Sequence, residues 1–345
     1  NREENFEIAF PPDTPLQKVY YKDISPAPEN IYLDGDGNWL AKYSVDPNSI
    51  LDITAVGSVE IFIQPQIEIE KQELEDFIPY LKSLTFWEAD NEQIKILANE
   101  LKTVRNIYDY VINNLNYDYE IVEKVPQRMG ALKALNNKDS VVCMEFTDLF
   151  VALCRAAGIP SREVNGYAHT NNPKLRPLSL THDLLHAWPE YYDEDKDLWL
   201  AVDPTWEQTS GLDFFSQTGL NHFSFVFHGL DSIYPYPPGS YKTWLQQSKD
   251  VEISFGETPV KNEKFDLELD FPKKALGGVK IKGKVKIRNL GNTAIYEKGF
   301  DPIPPFAHYE KKVSLEKSSI FDREKATFDF EFKNRKKSVE IEIIS

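Results

Sequence analysis

The stretch from Cys143 to Pro160 constrains the fold of this chain most strongly. Apolar residues recur in it at helical spacing, and Gly158 with Pro160 ends the pattern. The stretch therefore predicts a buried, amphipathic helix that begins at Cys143. A cysteine at the start of a helix lies near unpaired N–H groups and the positive end of the helix dipole, which favours the thiolate. The apolar positions are Phe146, Leu149, Phe150, Leu153 and Ala157.

The second cysteine of the chain, Cys154, lies on the same predicted helix. At the α-helical rise it is about 16 Å from Cys143, which is too far for a disulfide bond on one rigid helix. We therefore expect Cys154 to be a small core residue and Cys143 to be the reactive thiol.

An imidazole and a carboxylate follow further along the chain. Two short strands are predicted on either side of the polar turn 193–196. If Tyr192 pairs with Asp197 across that turn, His186 lies opposite Asp203, with Cβ atoms about 5 Å apart. At that separation the carboxylate can hold the imidazole, although a slip of the register by one residue would separate the two.

A thiol, a base and a group that orients the base are the parts of a cysteine nucleophile. The run from Cys143 to Tyr167, together with the boxes His186-Ala187-Trp188 and Asp203-Pro204-Thr205, resembles the transglutaminase-like superfamily. That family is a papain-related group of cysteine acyltransferases and peptidases. The resemblance covers roughly residues 91–241. Many members carry glycine two residues before the cysteine, where this chain has Val141.

The resemblance implies an α+β fold in which the cysteine helix packs on an antiparallel sheet. It also implies a catalytic triad of Cys143, His186 and Asp203 that works through a thioester without a cofactor. The substrate would be a protein or peptide, and a primary amine is a possible acceptor. Hydrolysis is slightly preferred over transamidation, because no tunnel for a second substrate can be read from the sequence. Two alternatives remain open, a protein-glutamine transglutaminase and a non-catalytic binding or surface module.

Three further residues are candidates for the oxyanion donor or the cleft wall, namely Tyr117, Trp188 and His222. A buried core tyrosine explains Tyr117 equally well. For His222, a hydrogen-bonded core histidine in an aromatic patch is the preferred interpretation. His182 would share a strand face with His186, but no further ligands are visible, so no metal site is expected.

The flanks of the core are predicted to be β-rich. We divide the chain into an N-terminal β-rich domain at 1–70, the catalytic core at 71–245 and an Ig-like β-sandwich at 246–345. Both outer domains are predicted to be β-sandwich-like supports. The turn 34–38 is predicted to close a hairpin. Within the core, one apolar stripe predicts a single helix over 94–115, capped by Asp90.

The chain has 345 residues and a formal net charge of -16, which argues against nucleic acid or an anionic membrane as the main partner. No apolar run is long enough to span a bilayer. The chain starts at Asn1 rather than Met, without a signal peptide, which indicates a processed or trimmed chain.

Overall fold

The structure of the protein is a computed structural model. It describes residues 4–47, 49–66, 74–122, 127–170, 186–216, 220–241, 250–315 and 325–344. His182, considered above as a possible metal ligand, lies outside the described residues.

The N-terminal region forms two antiparallel sheets, one of β1, β4 and β3 and one of β2 and β5. The turn 34–38 joins β3 to β4, and the Asp34 carboxylate accepts hydrogen bonds from the N–H groups of Asp36 and Asn38, both at 2.9 Å. The predicted hairpin is therefore confirmed. The strands are β1 Glu4–Phe10, β2 Gln17–Ser25, β3 Asn30–Leu33, β4 Trp39–Val45 and β5 Thr54–Ile61.

After a 3-10 helix at Leu74–Leu81, two helices occupy the region in which one was predicted. They are α1 Glu92–Leu101 and α2 Val104–Asn114. The single-helix prediction is wrong because Lys102 adopts a left-handed φ of 66° and Thr103 caps a new helix by accepting the Asn106 N–H. The predicted cap is also off by one residue, since Asn91 caps α1.

Three further helices follow, and the last of them contains the cysteine. They are α3 Tyr119–Val122, α4 Ala131–Asn136 and α5 Cys143–Ala156. Helix α5 begins at Cys143 as predicted, and most of its side chains are buried. Its apolar residues form one cluster with side chains of α1 and α2. Cys154 is fully buried in that cluster, and both cysteines are free thiols.

An antiparallel sheet in the order β8-β7-β6-β9 lies beside α5. Together they form the expected α+β core. The elements are β6 Ser161–Ala168, β7 His186–Asp193, β8 Leu198–Ala201, α6 Pro204–Ser210 and β9 His222–His228.

The predicted register of β7 and β8 is wrong by two residues. Tyr192 pairs with Trp199 instead of Asp197, and β8 ends at Ala201, so Asp203 is not paired with His186 across these strands. The reason is local, since Asp197 has a left-handed φ of 54° that suits a turn but not a strand.

The C-terminal region forms two three-stranded sheets, in the orders β10-β12-β13 and β11-β15-β14. All of the pairs are antiparallel except β11 with β15. The Ig-like topology of this region stays a prediction. The strands are β10 Phe265–Asp270, β11 Lys274–Leu276, β12 Ile281–Asn289, β13 His308–Leu315, β14 Lys325–Phe332 and β15 Arg335–Ile344.

The N-terminal and C-terminal β regions share one apolar cluster. Phe10 and Trp39 from the first region lie in it together with Val285 and Phe332 from the second. The Tyr21 N–H also donates to the carbonyl of Asn292 at 2.9 Å. The two β regions thus pack on each other, while the domain boundaries stay predictions. In the part of the chain that the structure describes, no helix has both the length and the apolar character of a membrane span.

Candidate active site

Cys143 is the first residue of α5, and Glu145 fixes that helix start. Val142 occupies the cap position but has no side-chain acceptor. Instead, the Glu145 carboxylate accepts the Val142 N–H and the Met129 N–H, each at 3.0 Å. Burial raises the pKa of Glu145. The thiol is 7% exposed and lies at the positive end of the α5 dipole.

Tyr117 lies beside Val141, in the segment directly before Cys143. It forms a parallel bridge with Val141, and the Asp118 N–H donates to the Val141 carbonyl at 2.9 Å. The Tyr117 hydroxyl is buried and has no hydrogen-bond partner among the described residues. Burial first, and the Cys143 thiol second, raise the pKa of Tyr117. Its hydroxyl is therefore protonated and available as a donor.

His186 is the first residue of β7, opposite Gly166 of β6. Its Nε2 lies 2.7 Å from Asp203 Oδ2, and the ring is 2% exposed. Burial opposes the charged form, but Asp203 and then the Cys143 thiol outweigh it and raise the pKa of His186 to about 10. Nδ1 makes no hydrogen bond within the described residues, so it is the nitrogen left for the thiol.

Asp203 is the N-cap of α6. Its Oδ1 accepts the Trp206 N–H at 2.9 Å, and its Oδ2 faces both His186 and His222. Burial disfavours the carboxylate, but His186 and His222 hold the pKa of Asp203 well below its usual range. Asp203 thus meets His186 from a helix cap, although the sequence argument placed it on a paired strand.

Trp188 and His222 lie against the imidazole of His186. The Trp188 ring is 5.7 Å from the His186 ring and 4.9 Å from the His222 ring. The close approach needs Gly166, because a Cβ there would be 2.6 Å from the Trp188 ring and 2.1 Å from the Phe223 carbonyl oxygen. Trp188 and His222 therefore pack against the His186 ring and limit its movement.

His222 lies 3.0 Å from Asp203 Oδ2 through its Nε2. It is buried and hydrogen-bonded, as the core-histidine interpretation expects, but its partner is a member of the predicted triad. Sequence reasoning missed Trp206, whose ring stacks on His186 at 5.5 Å. Its position directly after the Asp203-Pro204-Thr205 box was the available signal.

His186, Asp203 and His222 are also the residues whose ligand atoms lie close enough for one metal ion, within 4.8 Å of one another among the described residues. In the observed geometry, however, both imidazoles direct Nε2 at the same carboxylate oxygen. In this arrangement the ionised carboxylate accepts from both imidazoles, so each Nε2 directs a proton at it.

A buried ion cluster ties α5 to the sheet behind the site. The Arg128 guanidinium, from the segment before α4, pairs with Asp148 of α5 and with Glu163 of β6, the latter at 2.7 Å. Trp87 also donates its indole N–H to Asp148 at 2.9 Å. Helix and sheet are therefore fixed to each other by charge as well as by packing.

Known proteins resemble the central part of this chain. Residues 89–204 match the family model described as Transglutaminase-like superfamily. The chain is 27% identical over 142 residues to the kyphoscoliosis peptidase of Mus musculus, which covers 40% of this chain and 20% of that protein. It is 28% identical over 125 residues to the protein-glutamine gamma-glutamyltransferase of Pseudomonas aeruginosa, which covers 34% and 19%. The chain thus spans about a fifth of the length of these relatives.

Among solved structures, the periplasmic domain of TgpA from Pseudomonas aeruginosa is similar at 19% identity, with a TM-score of 0.35. The similarity covers 61% of this chain and 72% of that one.

Proposed function

Because residues 89–204 belong to the transglutaminase-like superfamily, we propose that this chain is a cysteine-dependent enzyme that transfers the acyl group of a peptide or carboxamide through a thioester on Cys143. One observation carries the proposal. His186 is held by Asp203 through Nε2 at 2.7 Å, keeps Nδ1 without a partner among the described residues, and interacts electrostatically with the thiol at the start of α5.

In the first half of the reaction, the Cys143 thiolate attacks the carbonyl carbon. The C–N bond then breaks, and the His186 imidazolium gives its proton to the leaving amine or ammonia. The oxyanion accepts hydrogen bonds from the backbone N–H of Cys143 and from the hydroxyl of Tyr117. This use of Tyr117 is supported by its burial, its free hydroxyl in the described structure and its interaction with the thiol.

In the second half, neutral His186 takes a proton from water, the hydroxide attacks the thioester, and the thiolate leaves with the acid as product. Hydrolysis is the proposed outcome, and the similarity to a protein named a peptidase supports it. Transamidation is the second candidate, supported by the similarity to a protein named a gamma-glutamyltransferase. In that case, an amine takes the place of water.

The deciding experiment measures how the thioester partitions. The protein is incubated with a glutamine-containing peptide and a labelled primary amine, and the acid and amide products are quantified. We expect acid to predominate, and predominant amide would make the protein a transglutaminase.

The control is Cys143→Ala, which should give neither product. The rate at which iodoacetamide labels each cysteine separates the enzyme from a non-catalytic module. If Cys143 is labelled no faster than the buried Cys154 and neither product forms, the enzymatic proposal is wrong.

A further inference from the structure

The His222 ring is fixed by contacts on several sides. Its Nε2 lies 3.0 Å from Asp203 Oδ2, and its Nδ1 lies 3.0 Å from the side-chain oxygen of Asn221. The rings of Trp188 and Trp206 are each 4.9 Å from the imidazole. His222 therefore has little freedom to turn its Nε2 away from Asp203.

Asp203 Oδ2 is consequently shared between two imidazoles, His186 at 2.7 Å and His222 at 3.0 Å. A carboxylate oxygen offers about two lone-pair sites, so the two donors use its whole capacity. The other oxygen, Oδ1, accepts the Trp206 N–H. Both donors thus draw on the negative charge of the same oxygen, so the hydrogen bond from His222 weakens the one from His186.

Both ring nitrogens of His222 face acceptor oxygens, Nε2 the Asp203 carboxylate and Nδ1 the side-chain oxygen of Asn221. An ionised carboxylate can only accept, so Nε2 carries a proton and donates it to Asp203. Burial lowers the pKa of His222, and the hydrogen bond with Asp203 partly opposes this effect. His222 is therefore a second hydrogen-bond donor on the carboxylate that holds the base.

The ionisable groups that face His186 come from three elements: Cys143 from α5, Asp203 from the cap of α6 and His222 from β9. Tyr117, in the segment between α2 and α3, interacts electrostatically with two of these groups, Cys143 and Asp203. Among these groups, His222 is the one that donates a hydrogen bond directly to the carboxylate partner of the base.

We propose that His222 is a positioning residue that weakens the hold of Asp203 on the His186 proton, an inference that rests on the acyl transfer proposed above. The first half-reaction needs an imidazolium that gives a proton, and the second needs a neutral imidazole that takes one from water. Without the His222 N–H, Asp203 would keep the proton on His186 more strongly. Thioester hydrolysis would then slow, while thiolate attack would not.

The test uses p-nitrophenyl acetate, which acylates a reactive thiolate without needing a proton for its leaving group. The first burst of nitrophenolate reports acylation, the slower phase reports thioester hydrolysis, and mass spectrometry locates the acetyl group on Cys143. The variants are His222→Phe and His222→Met, which remove the donor, and His222→Gln, whose amide N–H can replace it.

In the Phe and Met variants, we expect the thioester lifetime at pH 8 to lengthen about tenfold, the effect of one pKa unit, with the burst rate within about threefold of wild type. Between pH 7 and 9, the hydrolysis rate should be displaced by about one unit towards higher pH. The Gln variant should restore the lifetime of the wild type. Melting temperatures identify any variant that does not fold. If only one of the Phe and Met variants folds, that variant alone is sufficient for the test.

An unchanged lifetime in the folded Phe or Met variant overturns the inference. Equal losses of burst and hydrolysis also overturn it, as does a Gln variant that behaves like the other two, because each would indicate a purely structural role. Absence of a burst in the wild type has a different meaning. It contradicts the thioester function itself, and the role of His222 falls with it.

Discussion

Cys143 enters the candidate site on a helix packed in an apolar cluster, whereas His186, Asp203 and His222 enter it from strand ends and a helix cap. We call Cys143 with α5 the helix side and the other three residues the sheet side. On the helix side, Phe146, Leu149 and other α5 side chains are fully buried among apolar neighbours. On the sheet side, one carboxylate accepts two imidazoles and a backbone N–H, and indole rings surround them.

The difference separates chemistry from stability. The helix side gains its stability from apolar packing, so loss of one sulfur atom removes little of it. The sheet side depends on buried polar groups that satisfy each other, and removing one of them leaves its partner unpaired at a cost of about 1–3 kcal/mol. We therefore expect replacement of Cys143 on the helix side to affect turnover alone and replacement of a polar residue on the sheet side to affect both turnover and stability.

The largest effect is expected for Cys143→Ala. Turnover should fall below detection because the nucleophile is gone, while the free energy of unfolding should change by about 1 kcal/mol or less. Activity assays and chemical denaturation check the two parts. The matched control is Cys154→Ala on the same helix, where burial raises the pKa of the thiol. That variant should stay active, and an unfolded Cys143→Ala would contradict the comparison.

Asp203→Asn is the corresponding change on the sheet side. We expect turnover to fall roughly 10³–10⁴-fold through a mis-set imidazole tautomer, together with a loss of about 1–3 kcal/mol of unfolding free energy. Steady-state kinetics and denaturant titration measure both. Asp197→Asn in the turn after β7 is the control and should keep normal rates. A stable Asp203→Asn variant of near wild-type activity would refute the role of the sheet side.

Tyr117→Phe tests the hydroxyl that is proposed as an oxyanion donor. Its hydroxyl has no partner among the described residues, so its removal should cost little stability. As an oxyanion donor, it should contribute roughly 10²-fold to kcat. Tyr119→Phe, on the neighbouring ring at 4.9 Å, is the control. Equal kcat values for the two variants would remove Tyr117 from the mechanism.

The pKa of His186, raised to about 10, predicts how the sheet side responds to pH. The unfolded value is about 6.5, so the imidazolium stabilises the fold fully below that pH. This contribution, on the order of a few kcal/mol, is lost as pH rises through about 10. NMR of the imidazole ring between pH 6 and 10.5 measures the midpoint. A midpoint near 6.5 would show that Asp203 and the thiol do not hold the proton.

The helix side was more predictable from the sequence than the sheet side. Apolar spacing located α5 and its first residue, because helical periodicity is local. The β7–β8 register depended on the backbone of Asp197 in the turn, which its residue type does not determine. The strand pairing predicted for Asp203 does not exist, and Asp203 reaches His186 from the cap of α6 instead.

The contact between His222 and Asp203 could not be derived locally either. It requires β9 to pair with the edge of β6 that faces away from β7. A pairing between strands so far apart in the chain leaves no periodic signal in one sequence. The apolar cluster that joins the two terminal β regions escaped prediction for the same reason. Both regions were recognised as β-rich from alternation, but alternation does not indicate which buried faces meet.

The smallest effect on rate is expected where the N-terminal region supports the sheet side from outside. Strand β9 is the last of its sheet, and two side-chain amides pair with its outer edge as a strand would. Gln17 bonds to the N–H and carbonyl of Ser224 at 2.8 and 3.0 Å. Asn38 does the same for Phe227 at 2.7 and 2.8 Å.

Asn38→Ala should therefore cost about 1–3 kcal/mol of unfolding free energy, since two buried backbone groups lose their partner, yet change kcat only about twofold. Gln17→Ala should cost a similar amount of stability but reduce kcat more, because Ser224 is closer than Phe227 to His222 along β9. Denaturation and steady-state kinetics of both variants give the comparison, with the exposed Asn113→Ala of α2 as a neutral control. If Asn38→Ala lowers kcat more than Gln17→Ala, strand β9 does not transmit the support to His222, and the sheet side is held by its own hydrogen bonds alone.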